Sequence, residues 1–178
     1  MSKRGGRMAA WEDIPMKQAL REDMARFGGK TVAVLLFNRG FHAVLAYRVA
    51  AKLLERRVPL APWLLTRLIQ VLYGIDIDPR AKIGGGCRIL HGVGLVVAQE
   101  VRIGPGVTIY HGVTLGITGG AKDGVPVVGR GCVLGAGAKV LGPVQIGDNV
   151  NVGANAVVLQ DVPSGCDAVG IPARVIKR

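Results

Sequence analysis

From Ile77 onward, aliphatic residues return at every sixth position. They stand at Ile77, Ile83, Ile89 and Leu95, then, after a slip of two residues between Leu95 and Val97, at Val97, Ile103, Ile109 and Leu115; after an interruption they resume at Val128, Leu134, Val140, Ile146, Val152 and Val158. A period of six fits neither the 3.6-residue turn of an α-helix nor the alternation of a half-exposed strand. It fits a chain that turns a corner every six residues and sends one aliphatic side chain inward from each straight segment. Glycine follows the aliphatic directly at Gly84, Gly104, Gly129, Gly135, Gly147 and Gly153, where backbone freedom suits a corner. A helical reading fails here, because glycines cost about 1 kcal/mol each in a helix interior. Three hexads make one triangular coil of about 18 residues, and coils stack at about 4.8 Å as a parallel β-helix.

Before the repeat the pattern is different. Phe41, Val44, Leu45, Val49, Leu53 and Leu54, then Trp63, Leu64, Leu68 and Leu72, follow helical spacing, with Pro59 and Pro62 between them. Two helices joined at Pro59 are expected, preceded by a shorter helix over Met16 to Phe27 that ends at Gly28-Gly29, while residues 1–12 look loose. Residues 1–75 hold 6 of the 27 glycines and 13 basic against 5 acidic residues, whereas 76–178 hold 21 glycines and 10 basic against 7 acidic. Composition therefore divides the chain near Tyr73-Gly74. The expected fold is α+β: a short helical region over 1–75, then a β-helix domain over 76–178 with a loop protruding at about 116–127 (GITGGAKDGVPV within it) and a C-terminal tail. A long loop inside a regular repeat is often functional, although a tolerated surface insertion looks the same in sequence.

Several classes are excluded. Arg67 interrupts the best apolar window, Val58 to Ile75, so no stretch reaches the roughly 18 apolar residues of a membrane span. MSKRGGRMAAWED does not read as a secretory signal, which makes the cytoplasm the expected location. Cys87, Cys132 and Cys166 are odd in number and far apart, so buried reduced thiols are expected instead of a disulfide framework or a thiolate metal site. No metal is expected. The net charge of +11 comes without an aromatic and basic recognition motif, so nucleic acid is not an expected partner. No Walker-type phosphate loop and no Ser-His-Asp or Cys-His arrangement can be identified.

Of three histidines, His42 lies on a helix beside Phe41, where packing accounts for it. His91 is the second residue after Ile89 and His111 the second after Ile109; the interval of 20 is one coil plus the slip, so the two should share a face on successive coils. Asp76 precedes His91 by 15 residues, near the end of the face one coil below. That spacing makes a candidate acid–base pair, since a carboxylate holds the tautomer of an imidazole and favours its protonated form. The other reading is that His91 decorates a coil and Asp76 caps a turn in DIDP.

The segments GIDIDPRAKIGGGCRILHGVGLVV, VTIYHGVTLGITG, VLGAGAKVLGPVQIGDNVNVGANAVVLQDVP and VGIPARVIKR resemble the serine acetyltransferase branch of the hexapeptide acyltransferases. The resemblance implies a left-handed parallel β-helix, a homotrimer with active sites between subunits, and acetyl-CoA as co-substrate. By position it implies His91 as catalytic base with Asp76 as its acid partner. It likewise implies Gly116, Thr118 and Gly119 along the pantetheine arm, and Ala136 and Ala154 lining the CoA groove. Arg174, Lys177 and Arg178 suit CoA phosphates, although a basic terminus is as often simply solvated. His111 is a candidate for acceptor binding.

The departures bear on the acceptor. Where the family carries an Asp before the catalytic His this chain has Leu90, its Arg-His pair is replaced by Gly124-Val125 before Pro126, and its Glu on the next strand by Gln99, a candidate acceptor contact. Without that cationic clamp a serine carboxylate loses its expected partner. FHAVLAYRVA and IYHGVTLG also resemble colanic acid and related exopolysaccharide acetyltransferases. The expected function is therefore O-acetylation of a sugar or glycan hydroxyl, with serine O-acetylation as the alternative. A basic helical half with Trp63 and Leu64 suits peripheral contact with an anionic membrane, the other reading being helices packed on the base of the β-helix. A zinc carbonic anhydrase-like enzyme ranks far lower, since His91 and His111 lack a third His in the repeat, and a non-catalytic trimeric scaffold would leave Asp76 and His91 without a role.

Overall fold

The computed structural model describes residues 14–28, 31–119 and 124–178. The expectations for 1–12, for Gly29 and for the tip of the loop at 120–123 fall outside the described residues. Among the described residues four helices come first: α1 (Met16–Phe27), α2 (Thr31–Phe37), α3 (Arg39–Glu55) and α4 (Ala61–Tyr73). Gly28 ends α1 at φ 66°, and Gly74 ends α4 in the left-handed region, donating its N–H to the Gln70 carbonyl at 2.9 Å. Asn38 caps α3, its Oδ1 accepting from the Phe41 N–H at 3.0 Å. Helix α2 was not expected: TVAVLLF is almost uniformly apolar, and seven such residues carry no periodicity to read.

The strands are β1 (Asp76–Ile77), β2 (Lys82–Ile83), β3 (Arg88–Leu90), β4 (Val96–Val97), β5 (Arg102–Ile103), β6 (Thr108–Tyr110), β7 (Thr114–Gly116), β8 (Val127–Val128), β9 (Val133–Leu134), β10 (Lys139–Leu141), β11 (Gln145–Ile146), β12 (Asn151–Val152), β13 (Val157–Val158), β14 (Cys166–Val169) and β15 (Arg174–Lys177). They form three sheets, ordered β1-β4-β7-β10-β13, β2-β5-β8-β11 and β3-β6-β9-β12-β14-β15, every pairing parallel except the last. These are the three faces of a β-helix. On the first face Ile77 pairs with Val97, Val97 with Leu115, Leu115 with Val140 and Val140 with Val158, so successive coils take 20, 18, 25 and 18 residues.

That register moves the slip. Leu95 belongs to no strand and lies buried in a corner, while Val97 takes the place above Ile77. The two extra residues therefore sit in the corner His91–Gly94. Leu95 also belongs to a second buried column that the period of six did not reveal, two residues before each aliphatic: Ala81, Cys87, Val101, Val107, Val113, Cys132, Ala138, Val150 and Ala156 are all of 1 % exposure or less. Each coil corner is thus filled as well as each face, and a buried aliphatic contributes about 1.5–3 kcal/mol.

The glycines after the aliphatics also have a different reason from the one expected. None of Gly84, Gly104, Gly129, Gly135, Gly147 and Gly153 has a positive φ. A Cβ on Gly104 would stand 2.7 Å from the backbone carbon of Gly129 in the coil above, a distance that real Cβ atoms do not reach. Close approach of stacked coils excludes side chains there, and the left-handed corner positions fall to other residues.

The three cysteines share one corner column, directly preceding Ile89, Leu134 and Ala168 by two positions, and all are free and buried. Burial pushes the Cys87 thiol up to about 12 and Cys132 up to about 11, so thiolate is scarce at neutral pH. Iodoacetamide at pH 8 is expected to leave Cys87 and Cys132 unmodified in the native protein and to modify both in denaturant; rapid native labelling, read by peptide mass, would contradict this.

The helices cap the open end of the first coil. Tyr47 on α3 donates to the Ala81 carbonyl at 2.7 Å and accepts from the Ile83 N–H at 3.1 Å. Arg48 donates to the Ile83 and Gly84 carbonyls at 3.0 and 2.8 Å and pairs with Asp23 of α1, whose Oδ1 accepts from the Cys87 N–H at 2.9 Å. Backbone groups that an end coil leaves unpaired are thereby satisfied. Helix α3 comes close enough that a Cβ on Gly40 would meet the Ile89 carbonyl oxygen at 2.1 Å. Gly40→Ala is therefore expected to cost about 1–3 kcal/mol by overpacking, measured by urea denaturation. At the far end β15 folds back on β14, and Arg178 pairs with Asp167 at 2.9 Å.

Candidate active site

The corner between the third and first faces carries one candidate residue per coil. Its hydrogen bonds run upward from Gly94 N–H to the Gly74 carbonyl (2.7 Å), Gly112 N–H to Val93 (2.9 Å), Gly137 N–H to His111 (2.8 Å) and Asn155 N–H to Ala136 (2.8 Å). His91, His111, Ala136 and Ala154 therefore lie along one edge on successive coils. His91 occupies the two-residue insertion and is itself left-handed, φ 63°, followed by Gly92 at φ 54°. A non-glycine residue in that region is uncommon, and such conformations gather at functional sites. The bulge lifts His91 out of the coil: both imidazoles are exposed, and their rings meet edge to face at 6.2 Å between centroids and 74° between planes.

Asp76 opens the strand that starts two residues after Gly74, the residue to which the His91 corner is bonded. Its carboxylate is half-buried, and among the described residues its side-chain partner is Gln70 of α4, whose Nε2 donates to Oδ2 at 3.1 Å. Within one chain it makes no hydrogen bond to His91. Asp76 and Asp78 form one wall of a groove of about 350 Å³ whose other wall is α4, with Trp63, Thr66, Arg67 and Gln70. Asp78 is held below the usual carboxylate range: burial raises it, but hydrogen bonds from the Arg80 side chain and backbone outweigh that, and Arg80 also lies over the Trp63 ring at 5.1 Å. Gln70 and Arg67 escaped the sequence reading, since nothing in a helical stripe marks which polar residue will face a strand that has yet to be placed.

Gly116, Thr118, Gly119 and Gln99 stand on the opposite edge of the first face. Gln99 follows β4, and the loop leaves the end of β7 at Gly116, which accepts from the Gly142 N–H at 2.9 Å. Thr118 folds back over the next coil, 3.1 Å from where a Cβ on Gly142 would lie. The exposed Arg174 and Lys177 lie on β15 at the last coil. The chain thus divides most of the candidate residues between two edges of the first face, with Arg174 and Lys177 apart on the third sheet. Among the described residues no three His, Cys, Asp or Glu side chains converge as metal ligands.

Residues 126–160 match the family described as bacterial transferase hexapeptide (six repeats). A serine acetyltransferase of Helicobacter pylori strain J99 is 47 % identical over 164 residues, covering 92 % of this chain and 95 % of that protein. The chain belongs to the serine acetyltransferase family. This acetyltransferase is also 47 % identical over 161 residues to the serine acetyltransferase of Synechococcus elongatus, covering 89 % of the chain but spanning only 64 % of that longer relative. Among solved structures, serine acetyltransferase from Brucella abortus strain S19 in complex with coenzyme A superposes with a TM-score of 0.84 at 33 % identity, covering 91 % of this chain and 68 % of that one. Soybean serine acetyltransferase complexed with serine gives 0.84 at 39 % identity, covering 90 % and 69 %. Family and fold together make the chain an acetyl-CoA-dependent O-acetyltransferase.

Proposed function

We propose that this acetyltransferase transfers the acetyl group of acetyl-CoA to the hydroxyl of L-serine. The observation that carries the acceptor is the 47 % identity to a serine acetyltransferase matched over 95 % of its length. The sugar or glycan hydroxyl expected from Leu90, Gln99 and Gly124-Val125 becomes the second reading, favoured by the absence of charge at those positions and by the resemblance of FHAVLAYRVA and IYHGVTLG to exopolysaccharide acetyltransferases.

His91 is the general base. Its imidazole takes the proton of the serine hydroxyl as the oxygen bonds to the thioester carbonyl carbon; the tetrahedral intermediate then breaks its C–S bond, and the imidazolium returns the proton to the CoA thiolate. The products are O-acetylserine and CoA. Asp76, on the strand that begins beneath the His91 corner, is the acid partner of that base. Gly116, Thr118 and Gly119 hold the pantetheine arm, Ala136 and Ala154 leave room for it, and Arg174 and Lys177 reach the CoA phosphates. His111 and Gln99 contact the acceptor.

The split of these residues between two edges supports a homotrimer in which the His91 edge of one protomer meets the loop edge of its neighbour. No helix among the described residues is long and apolar enough to cross a membrane. Trp63, Leu64, Leu68 and Leu72 of α4 are exposed, although α3 packs on the coil base. The test is release of free thiol from acetyl-CoA with L-serine against a panel of nucleotide sugars and short saccharides. Release with serine that vanishes in His91→Ala supports the proposal. Release with a saccharide alone overturns the serine acceptor.

A further inference from the structure

The groove between α4 and the first coil is polarised in a way that matches a zwitterion. Its strand wall carries the carboxylates of Asp76 and Asp78; among its described lining residues the only cation is Arg67, on the helix wall. Arg67 Nη1 donates to Gln70 Oε1 at 2.6 Å, which turns the amide so that its Nε2 donates to Asp76 Oδ2 at 3.1 Å. One hydrogen bond leaves most of the guanidinium fork unused, and among the described residues no other protein group takes it.

Arg80, which lies over the Trp63 ring of the groove, is already committed: it spends its fork on the Asp78 carboxylate at 2.9 and 2.7 Å. At the loop positions where the family carries its Arg-His pair, Gly124 and Val125 carry no charge. A free amino acid brings one carboxylate and one ammonium group, and a carboxylate leaving water needs a charged donor with fixed geometry. Arg67 is such a donor, already oriented by Gln70, across a groove that borders Asp76.

We propose that Arg67 is the specificity-determining residue for the acceptor, binding the α-carboxylate of serine while the ammonium group faces Asp76, whose Oδ2 alone is engaged by Gln70. The inference rests on the serine reading and adds the residue that selects an amino acid over a neutral polyol. Gln70 is a positioning residue that holds Arg67 and Asp76 in one hydrogen-bonded row.

Steady-state kinetics of Arg67→Ala and Arg67→Lys with L-serine and with L-serinamide, which lacks the carboxylate, test it. In Arg67→Ala the KM for serine is expected to rise roughly 10- to 100-fold, with kcat changed less than about 3-fold and the KM for acetyl-CoA unchanged. Arg67→Lys restores part of the loss, as a point charge without the fork. Serinamide, already missing the partner, loses little. An unchanged KM for serine, or equal losses with serine and serinamide, overturns the assignment of Arg67 while the serine reading stands. Wild-type protein that acetylates a saccharide and ignores serine overturns both.

Discussion

Replacing His91 by alanine is expected to lower kcat with acetyl-CoA and serine by about 100-fold or more, without loss of fold. The fold is spared for specific reasons. The imidazole is exposed, its ring contact is with His111 at the surface, and the inward packing of that corner comes from Leu95 and Ile75. The left-handed backbone at φ 63° suits alanine somewhat less than histidine, so the substitution adds a little strain and no large loss of stability. His91→Asn is the companion variant, because asparagine tolerates that conformation while lacking a proton acceptor of suitable basicity. Both should retain the wild-type melting temperature within a few degrees and the wild-type KM for acetyl-CoA. A turnover near wild type in either variant would remove His91 from the mechanism.

The largest stability effect is expected at Arg48. Arg48→Ala strips the Asp23 carboxylate of two hydrogen bonds, at 2.5 and 2.9 Å, inside a region where Asp23 is wholly buried, and uncaps the Ile83 and Gly84 carbonyls. Breaking one side of a buried pair costs about 3–5 kcal/mol, whereas replacing both partners by apolar groups of similar volume is far milder. Asp23→Leu with Arg48→Met is therefore expected to recover much of the loss. Burial pushes Asp23 above the usual carboxylate range, against the opposing hydrogen bond and charge of Arg48. Without Arg48 it rises further, and a carboxyl raised by folding destabilises the fold as pH climbs through its folded value. The deficit of Arg48→Ala should thus shrink in acid, towards the unfolded carboxylate value of about 3.9, and be full at neutral pH. Urea denaturation across pH measures it; a deficit below about 1 kcal/mol at pH 7 would show that the pair contributes little.

The repeat was legible because it turns distance along the chain into position in space. Once the coil is fixed, the interval between His91 and His111 places both rings on one edge, and they do meet there at 6.2 Å. Ala136 and Ala154, which the family resemblance implies for the CoA groove, lie on that edge as well. It failed at the slip, since Leu95 fits the beat of six equally well as a face residue or as a corner residue, and only strand pairing distinguishes them. The acceptor was the harder problem. Leu90 and Gly124-Val125 point to a sugar because sequence shows which charges are missing from expected places, whereas the 47 % identity to a serine acetyltransferase favours serine.

What the amino-acid order determined by itself is the β-helix, its helical leader and the candidates His91 and Asp76, because a short period leaves few ways to bury one aliphatic per hexad. Tertiary structure alone decided the lift of His91 on a left-handed insertion, the Asp23–Arg48 pair capping the end coil, and the row from Arg67 through Gln70 to Asp76. These depend on how helices dock against a coil, and docking is set by close contacts such as Gly40 on Ile89 that no periodicity encodes.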